Sequence, residues 1–251
     1  MLTVDALSKD FGGLRVLNGV SFHVPEGYIY GLIGPNGAGK TTVFNIVTGL
    51  LSASSGHVHL KEKPLLGLKP HHITRAGVGR TFQNIRVFKE MTLLENVMVG
   101  MHAELHYGLP SLLLHLPGAK TVEKRARDRA AELLGWVGLE NKALLEAGNL
   151  SYGEQRKLEL ARALATGAKL LLVDEPAAGM NPAETVELME EIKNINGRGY
   201  TILLIEHDMK LVMELCHRIA VLSFGQLIAE GAPDEIRRNA KVIEAYLGTD
   251  E

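Results

Sequence analysis

The stretch Tyr28-Ile29-Tyr30-Gly31-Leu32-Ile33-Gly34-Pro35-Asn36-Gly37-Ala38-Gly39-Lys40-Thr41 decides how this chain is read. Tyr28–Ile33 is a short apolar run stopped by glycine, the pattern of a buried strand. Lys40–Thr48 has helical character. Between them stands G-x-x-x-x-G-K-T, from Gly34 to Thr41. The glycines let the backbone curl so that successive N–H groups point inward, and the new helix adds its partial positive end. Gly34, Pro35, Asn36, Gly37, Ala38 and Gly39 thus form a cradle for phosphate oxygens. Lys40 supplies a cation for the β- and γ-phosphates, and the Thr41 hydroxyl is a ligand for Mg²⁺.

A second strand reading supports the first. Leu170-Leu171-Leu172-Val173-Asp174-Glu175 is a buried run that delivers two carboxylates at its C-terminal end, where ligands of open α/β sheets sit. Asp174 is expected on the Mg²⁺ side, acting through ordered water. Glu175 is then placed to orient and deprotonate an attacking water.

Further strands are expected at Val20–Val24, Thr201–Ile205, Arg218–Ser223 and Gln226–Glu230, the last two joined by a turn at Phe224-Gly225. Helices are expected at Glu123–Val137, Glu154–Thr166, Ala183–Asn194 and Met209–Cys216. Strands alternating with helices imply a largely parallel sheet covered on both faces. The region from about Asn84 to Thr166 is helix-rich and reads as a subdomain inserted into that α/β core. The expected division is therefore 1–83 and 167–251 for the core and 84–166 for the insertion.

Composition narrows the function. With 251 residues the chain has ample length for a core. Lys plus Arg is 27 and Asp plus Glu is 29, so it lacks the basic surplus of a general nucleic-acid binder. Cys216 is the only cysteine, which excludes an intrachain disulfide and reads as a small buried hydrophobe. No stretch reads as a signal peptide or spanning helix, so any membrane link is expected through a partner.

Asn149-Leu150-Ser151-Tyr152-Gly153-Glu154-Gln155-Arg156 turns a general nucleotide binder into something narrower. It opens an amphipathic helix shortly before the Asp174 strand. At this point the chain resembles the ATP-binding cassette (ABC) family of P-loop NTPases, whose signature runs roughly Leu-Ser-Gly-Gly-Gln. Other elements fall in the family's order: Phe11 upstream, Gln83 in Arg80-Thr81-Phe82-Gln83-Asn84, Ala177–Pro182 as the D-loop, and His207 after the strand Thr201–Ile205. The resemblance implies an α/β cassette: a mostly parallel sheet core, an antiparallel β part and an inserted helical subdomain, together one ATP-binding domain.

It also implies roles. Phe11 stacks on adenine with Val16 nearby, and Gly34 through Thr42 hold the phosphates. Thr41 and Gln83 reach Mg²⁺, and His207 bonds the γ-phosphate and keeps Glu175 and its water in register. Ser151 and Gly153 act in trans, on ATP held by a second cassette, so two ATP molecules are sandwiched in a two-fold dimer. ATP binding closes that dimer and hydrolysis reopens it. Four residues depart from the pattern. Phe11 replaces a more common tyrosine but keeps the stacking face. Tyr152 replaces a signature glycine, Glu154 replaces glutamine and would repel a phosphate unless its side chain turns away, and Asn181 replaces a D-loop aspartate. None of these removes a catalytic group.

Phe11-Gly12-Gly13-Leu14, Gly79–Phe88, Glu95-Asn96-Val97, Glu175–Pro182 and Asp234–Gly248 are similar to the ATPase subunits of branched-chain amino acid importers. That resemblance implies two membrane permeases, indirectly a substrate-binding protein, and a homo- or heterodimeric cassette pair on the cytoplasmic face of the plasma (inner) membrane. Ile85, Val87, Phe88 and Met91 are an apolar cluster suited to a permease helix or to the subdomain's own core. His102, His106 and His115 read as surface residues, and Lys124–Arg129 as a solvated basic face. The alternatives are a cassette of a related system (urea or short-amide import, lipopolysaccharide export), a DNA-repair or translation ABC protein, and a regulatory cassette without hydrolysis. The intact Lys40, Asp174, Glu175 and His207 speak against the last.

Overall fold

A computed structural model describes residues 1–81, 85–103 and 117–247. Among the described residues, ten strands form two sheets. The smaller has the order β2-β1-β4-β5 and is antiparallel: β1 is Leu2–Phe11, β2 Leu14–Val24, β4 Ser55–Leu60 and β5 Lys63–Pro64. The larger has the order β10-β9-β3-β8-β7-β6, with β3 Ile29–Ile33, β6 Val78–Arg80, β7 Leu170–Asp174, β8 Thr201–Ile205, β9 Arg218–Ser223 and β10 Gln226–Gly231. Its pairings are parallel except for the β9–β10 hairpin. Every residue of β3, β7 and β8 is buried, which explains why their sequences are apolar runs, with Asp174 and Thr201 at their ends, instead of alternating ones. At the β9–β10 turn, Phe224 and Gly225 both have positive φ (45° and 74°), as a two-residue hairpin loop requires.

Alternation in the sequence predicts a strand at Val20–Val24; the strand is longer and starts at Leu14. β1 and β4 are not foreseen from sequence, for a physical reason. The register of β1 shifts at several points along its pairing with β2, and Ala6 sits at φ 45°. Each irregularity swaps the faces that its side chains occupy, so the period-two signal is lost.

Contacts divide the chain into two units. One comprises Met1–Arg80, Lys169–Pro176 and Asn196–Glu251; the other Thr81–Ala168 and Ala177–Ile195. The first holds both sheets. Its core joins Leu2, Val4 and Leu7 of β1 to Leu172, Leu203 and Leu222 of the larger sheet through Val43, Phe44 and Val47. The helix Lys40–Val47 that carries these last three is therefore gripped by apolar packing along one side, which fixes where its N-terminus points.

The second unit is helical: Leu93–Gly100, Pro117–Trp136, Tyr152–Leu164 and most of Pro182–Gly197. Gly100 permits close packing of the first of these, since a Cβ there would lie 2.7 Å from the Arg162 carbonyl oxygen. Lys157, buried in this unit, meets Glu191 at 2.7 Å and Glu187 at 3.0 Å. Burial opposes its charge, but the two carboxylates outweigh that and hold its pKa above the ordinary lysine value.

Phe44 is fully buried, so Phe44→Ala is expected to lower unfolding free energy by about 3–5 kcal/mol in urea titration. Phe44→Leu should cost clearly less.

Candidate functional site

Three adjacent strands of the larger sheet end at the same edge. β3 runs into Gly34, β7 ends on Asp174, and β8 leads to Glu206 and His207. Asp174 lies opposite Ile205 in the β7–β8 register, and the Glu175 N–H donates to the Ile205 carbonyl at 2.9 Å. The C-terminal edge of a parallel sheet is where α/β proteins place ligands.

The loop Gly34–Gly39 has little steric freedom at two points. Gly34 has φ 149°, and a Cβ there would fall 2.0 Å from the Leu222 carbonyl oxygen. Gly39 has φ 104°, and a Cβ would fall 2.6 Å from Leu17 Cδ2 and 3.2 Å from the Val16 oxygen. Gly37, at φ 79°, meets nothing within 4 Å. The loop is tied to the β9–β10 hairpin by the Gly225 N–H donating to Ala38 O at 3.1 Å.

Lys40 heads the helix, with only 7% of its surface exposed. Its Nζ donates to the Gly34 carbonyl at 2.7 Å and to the Pro35 carbonyl at 3.0 Å. Burial lowers its pKa from the ordinary lysine value, while Glu175 and Asp174 pull it back up. The first turn carries no acidic residue, which leaves the helix N-terminus suited to an anion. Thr41 is exposed and Thr42 half-buried.

Asp174 is 2% exposed and does not stand alone. It accepts from Arg80 Nη2 at 3.0 Å. Sequence reasoning assigns it only a water-mediated role towards Mg²⁺ and misses this partner, because Arg80 lies 94 positions away. Glu175 has φ 46°, a left-handed conformation that costs a non-glycine residue on the order of 1–2 kcal/mol. Such strain is retained where the side chain must point one way. His207 is exposed, and its backbone N–H donates to Glu206 Oε2 at 3.0 Å, with Nδ1 3.7 Å from the same oxygen. Glu206 is 1% exposed and is also missed: its acid group follows the strand Thr201–Ile205 and carries no motif. Val16 is half-buried beside Gly39; Phe11 sits at the end of β1, exposed, with Lys9 Nζ 4.8 Å from its ring centre. Gln83 lies outside the described residues, as do His106 and His115.

The second unit holds the remaining candidates. Ser151 caps the helix Tyr152–Leu164, its Oγ accepting from the Glu154 N–H at 3.3 Å while Glu154 Oε2 accepts from the Ser151 N–H at 3.0 Å. Lys142 pairs with the same carboxylate. Burial resists ionisation of Glu154, but Lys142 and the Ser151 amide outweigh it and keep its pKa below the ordinary glutamate value. Gly153 is hemmed by Glu184: a Cβ would lie 3.0 Å from its Oε1. Gly179, at φ 79°, would place a Cβ 3.0 Å from the Tyr152 ring. Asn181 caps the next helix, its Oδ1 accepting from the N–H groups of Ala183 at 2.9 Å and Glu184 at 3.0 Å.

Comparisons with known proteins agree with this geometry. Residues 17–178 match the family model described as ABC transporter, and residues 226–251 match that described as branched-chain amino acid ATP-binding cassette transporter. The high-affinity branched-chain amino acid transport ATP-binding protein LivG of Salmonella typhimurium is 50% identical over 249 residues, 99% of this chain and 98% of that protein. A solved ADP conformation of an ATP-binding cassette of an ABC transporter is 32% identical with a TM-score of 0.84, covering 99% of this chain and 98% of that one. A dimeric post-hydrolysis cassette bound to ADP and Pi is 25% identical with a TM-score of 0.77, over 93% and 99%.

The contrast between glycines is testable. Gly34→Ala must displace the Leu222 carbonyl and is expected to abolish measurable ATP retention in equilibrium dialysis. Gly37→Ala, with space around it, should retain ATP within about tenfold of the unaltered chain, the cost of its positive φ alone.

Proposed function

This chain belongs to the ABC transporter family of ATP-binding cassettes, and from that premise we propose that it energises the uptake of branched-chain amino acids across a membrane. It is an ATPase of the P-loop NTPase fold, and cassettes of this family work as dimers with transmembrane permease partners. The observation that carries the reading is the convergence of charge at the sheet edge. The buried Lys40, held on the Gly34 and Pro35 carbonyls after β3, stands at the strand ends where the β7–β8 pairing brings Asp174 and Glu175.

The chemistry follows from these residues. Lys40 exchanges the Gly34 and Pro35 carbonyls for β- and γ-phosphate oxygens, while the amides of Gly34–Thr42 hold the phosphates. Phe11 stacks on adenine, with Val16 beside it. Thr41 and Asp174 are both oxygen donors, hydroxyl and carboxylate, as Mg²⁺ prefers. They would hold the ion with Gln83, and Mg²⁺ would neutralise charge on the phosphates. Glu175, fixed by its backbone, accepts a proton from the attacking water. His207 donates to the γ-phosphate, and Glu206 holds its backbone. Ser151 and Gly153 serve the ATP of the second cassette. Residues 1–83, 167–251 and the helical insertion 84–166 act as one cassette.

The permease contact falls on the second unit. Phe88 and Met91 are exposed, whereas Ile85 and Val87 are half-buried. Fully buried Asn96 fixes this loop, accepting from the Phe88 N–H and donating to the Phe88, Met91 and Thr92 carbonyls. A permease helix would dock on these side chains. No helix of the described residues is long and apolar enough to cross a membrane. In this reading attachment is peripheral, through two permeases on the cytoplasmic face. A substrate-binding protein delivers the solute.

Glu175→Gln should retain Mg-ATP, lower turnover by at least about a hundredfold and accumulate as a closed dimer in gel filtration; equal turnover in both proteins removes Glu175 from its role. Phe88→Asp should abolish co-purification with a branched-chain amino acid permease pair from solubilised membranes and leave ATP retention intact.

A further inference from the structure

Arg80 opens the stretch that carries Gln83 but has been given no role of its own, and its side chain has several partners at the sheet edge. It is the last residue of β6, whose register places it opposite Leu172, two residues short of Asp174. Its side chain is 8% exposed and that of Asp174 2%, so the pair is nearly cut off from water. Nη2 donates to Asp174 Oδ2 at 3.0 Å, and Nη1 donates to Asn45 Oδ1 at 2.8 Å and Thr48 Oγ1 at 3.1 Å. The Phe44 ring centre lies 5.6 Å from Cζ. Phe44, Asn45 and Thr48 belong to or cap the helix that begins at Lys40.

One planar cation therefore joins the carboxylate of β7 to the far end of the phosphate-loop helix. A lysine could not do this: it is a point charge without a fork, and the two anchoring directions need two nitrogens. Burial makes the arrangement specific, because a desolvated carboxylate that loses its partner is strongly destabilised. Arg80 is also where the chain leaves its unit, since Thr81 begins the other.

We propose that Arg80 is a positioning residue that presents Asp174 to the metal ion of the bound nucleotide. This rests on the reading of Asp174 as a Mg²⁺-side carboxylate. Charge alone argues the reverse, since a cation so close to the metal would weaken its binding. Orientation and charge therefore predict opposite results, and Arg80→Lys, which keeps the charge and loses the fork, separates them.

The test uses the full chain at saturating ADP, titrated with Mn²⁺ and read by electron paramagnetic resonance, with ADP retention in EDTA and thermal unfolding measured alongside. Arg80→Lys should raise the Mn²⁺ half-saturation about tenfold and leave ADP retention in EDTA within about twofold. Asn45→Ala, which loosens the fork without unpairing a buried charge and so keeps the test valid should Arg80→Lys fold poorly, should raise it about two- to threefold, a part of the same effect. Unchanged half-saturation with a lowered unfolding temperature would overturn the proposal and leave Arg80 as a brace of the fold. A lowered half-saturation would also overturn it. Failure of the unaltered chain to retain ADP would instead strike the reading of the site beneath it.

Discussion

A buried ammonium group is the constraint on which this molecule is built. Lys40 is placed at the head of a helix, nearly cut off from water, with two backbone carbonyls as partners and two acidic residues near enough to sustain its charge. Burial of such a group is costly unless it is answered. Main-chain oxygens of a loop that glycine alone can form supply the answer, and phosphate oxygens can replace them with better electrostatics. The apolar packing of Val43, Phe44 and Val47 sets the helix, the helix sets Lys40, and Arg80 ties that helix to the strand end carrying Asp174.

The parts legible in the sequence are those whose signal is local. β3, β7 and β8 are uniformly buried and so read as apolar runs, and the loop between β3 and its helix carries its own glycine and lysine spacing. β1 is not legible because its irregular register scrambles alternation. Arg80 and Glu206 are not legible either. Arg80 takes its meaning from Asp174, 94 positions away and brought near by the parallel pairing of β6 with β7. Glu206 accepts from the amide of the residue that follows it, and a lone acid after a strand forms no motif.

The departures from the family's signature have structural reasons. Glu154 does not aim outward; it bends back to the Ser151 amide and to Lys142, so its charge is spent within the turn that it helps to cap. That matches the condition under which a carboxylate can stand beside a phosphate site. Asn181 caps the helix Pro182–Gly197 through two backbone amides, as a neutral side chain does well. Tyr152 packs on Gly179 and accepts from Arg156 Nη2 at 2.9 Å, which links the signature turn to the loop before that helix. The extra ring is a packing element, and Gly179 is the residue that makes space for it.

Replacing Lys40 with alanine tests the central claim most directly, with Mg-ATP retention measured by equilibrium dialysis on correctly folded protein. The charge-assisted contacts of one ammonium group are worth a fall in affinity of at least about tenfold. Retention equal to that of the unaltered chain would show that the nucleotide's terminal phosphates do not replace the loop carbonyls at Lys40, and would contradict the account.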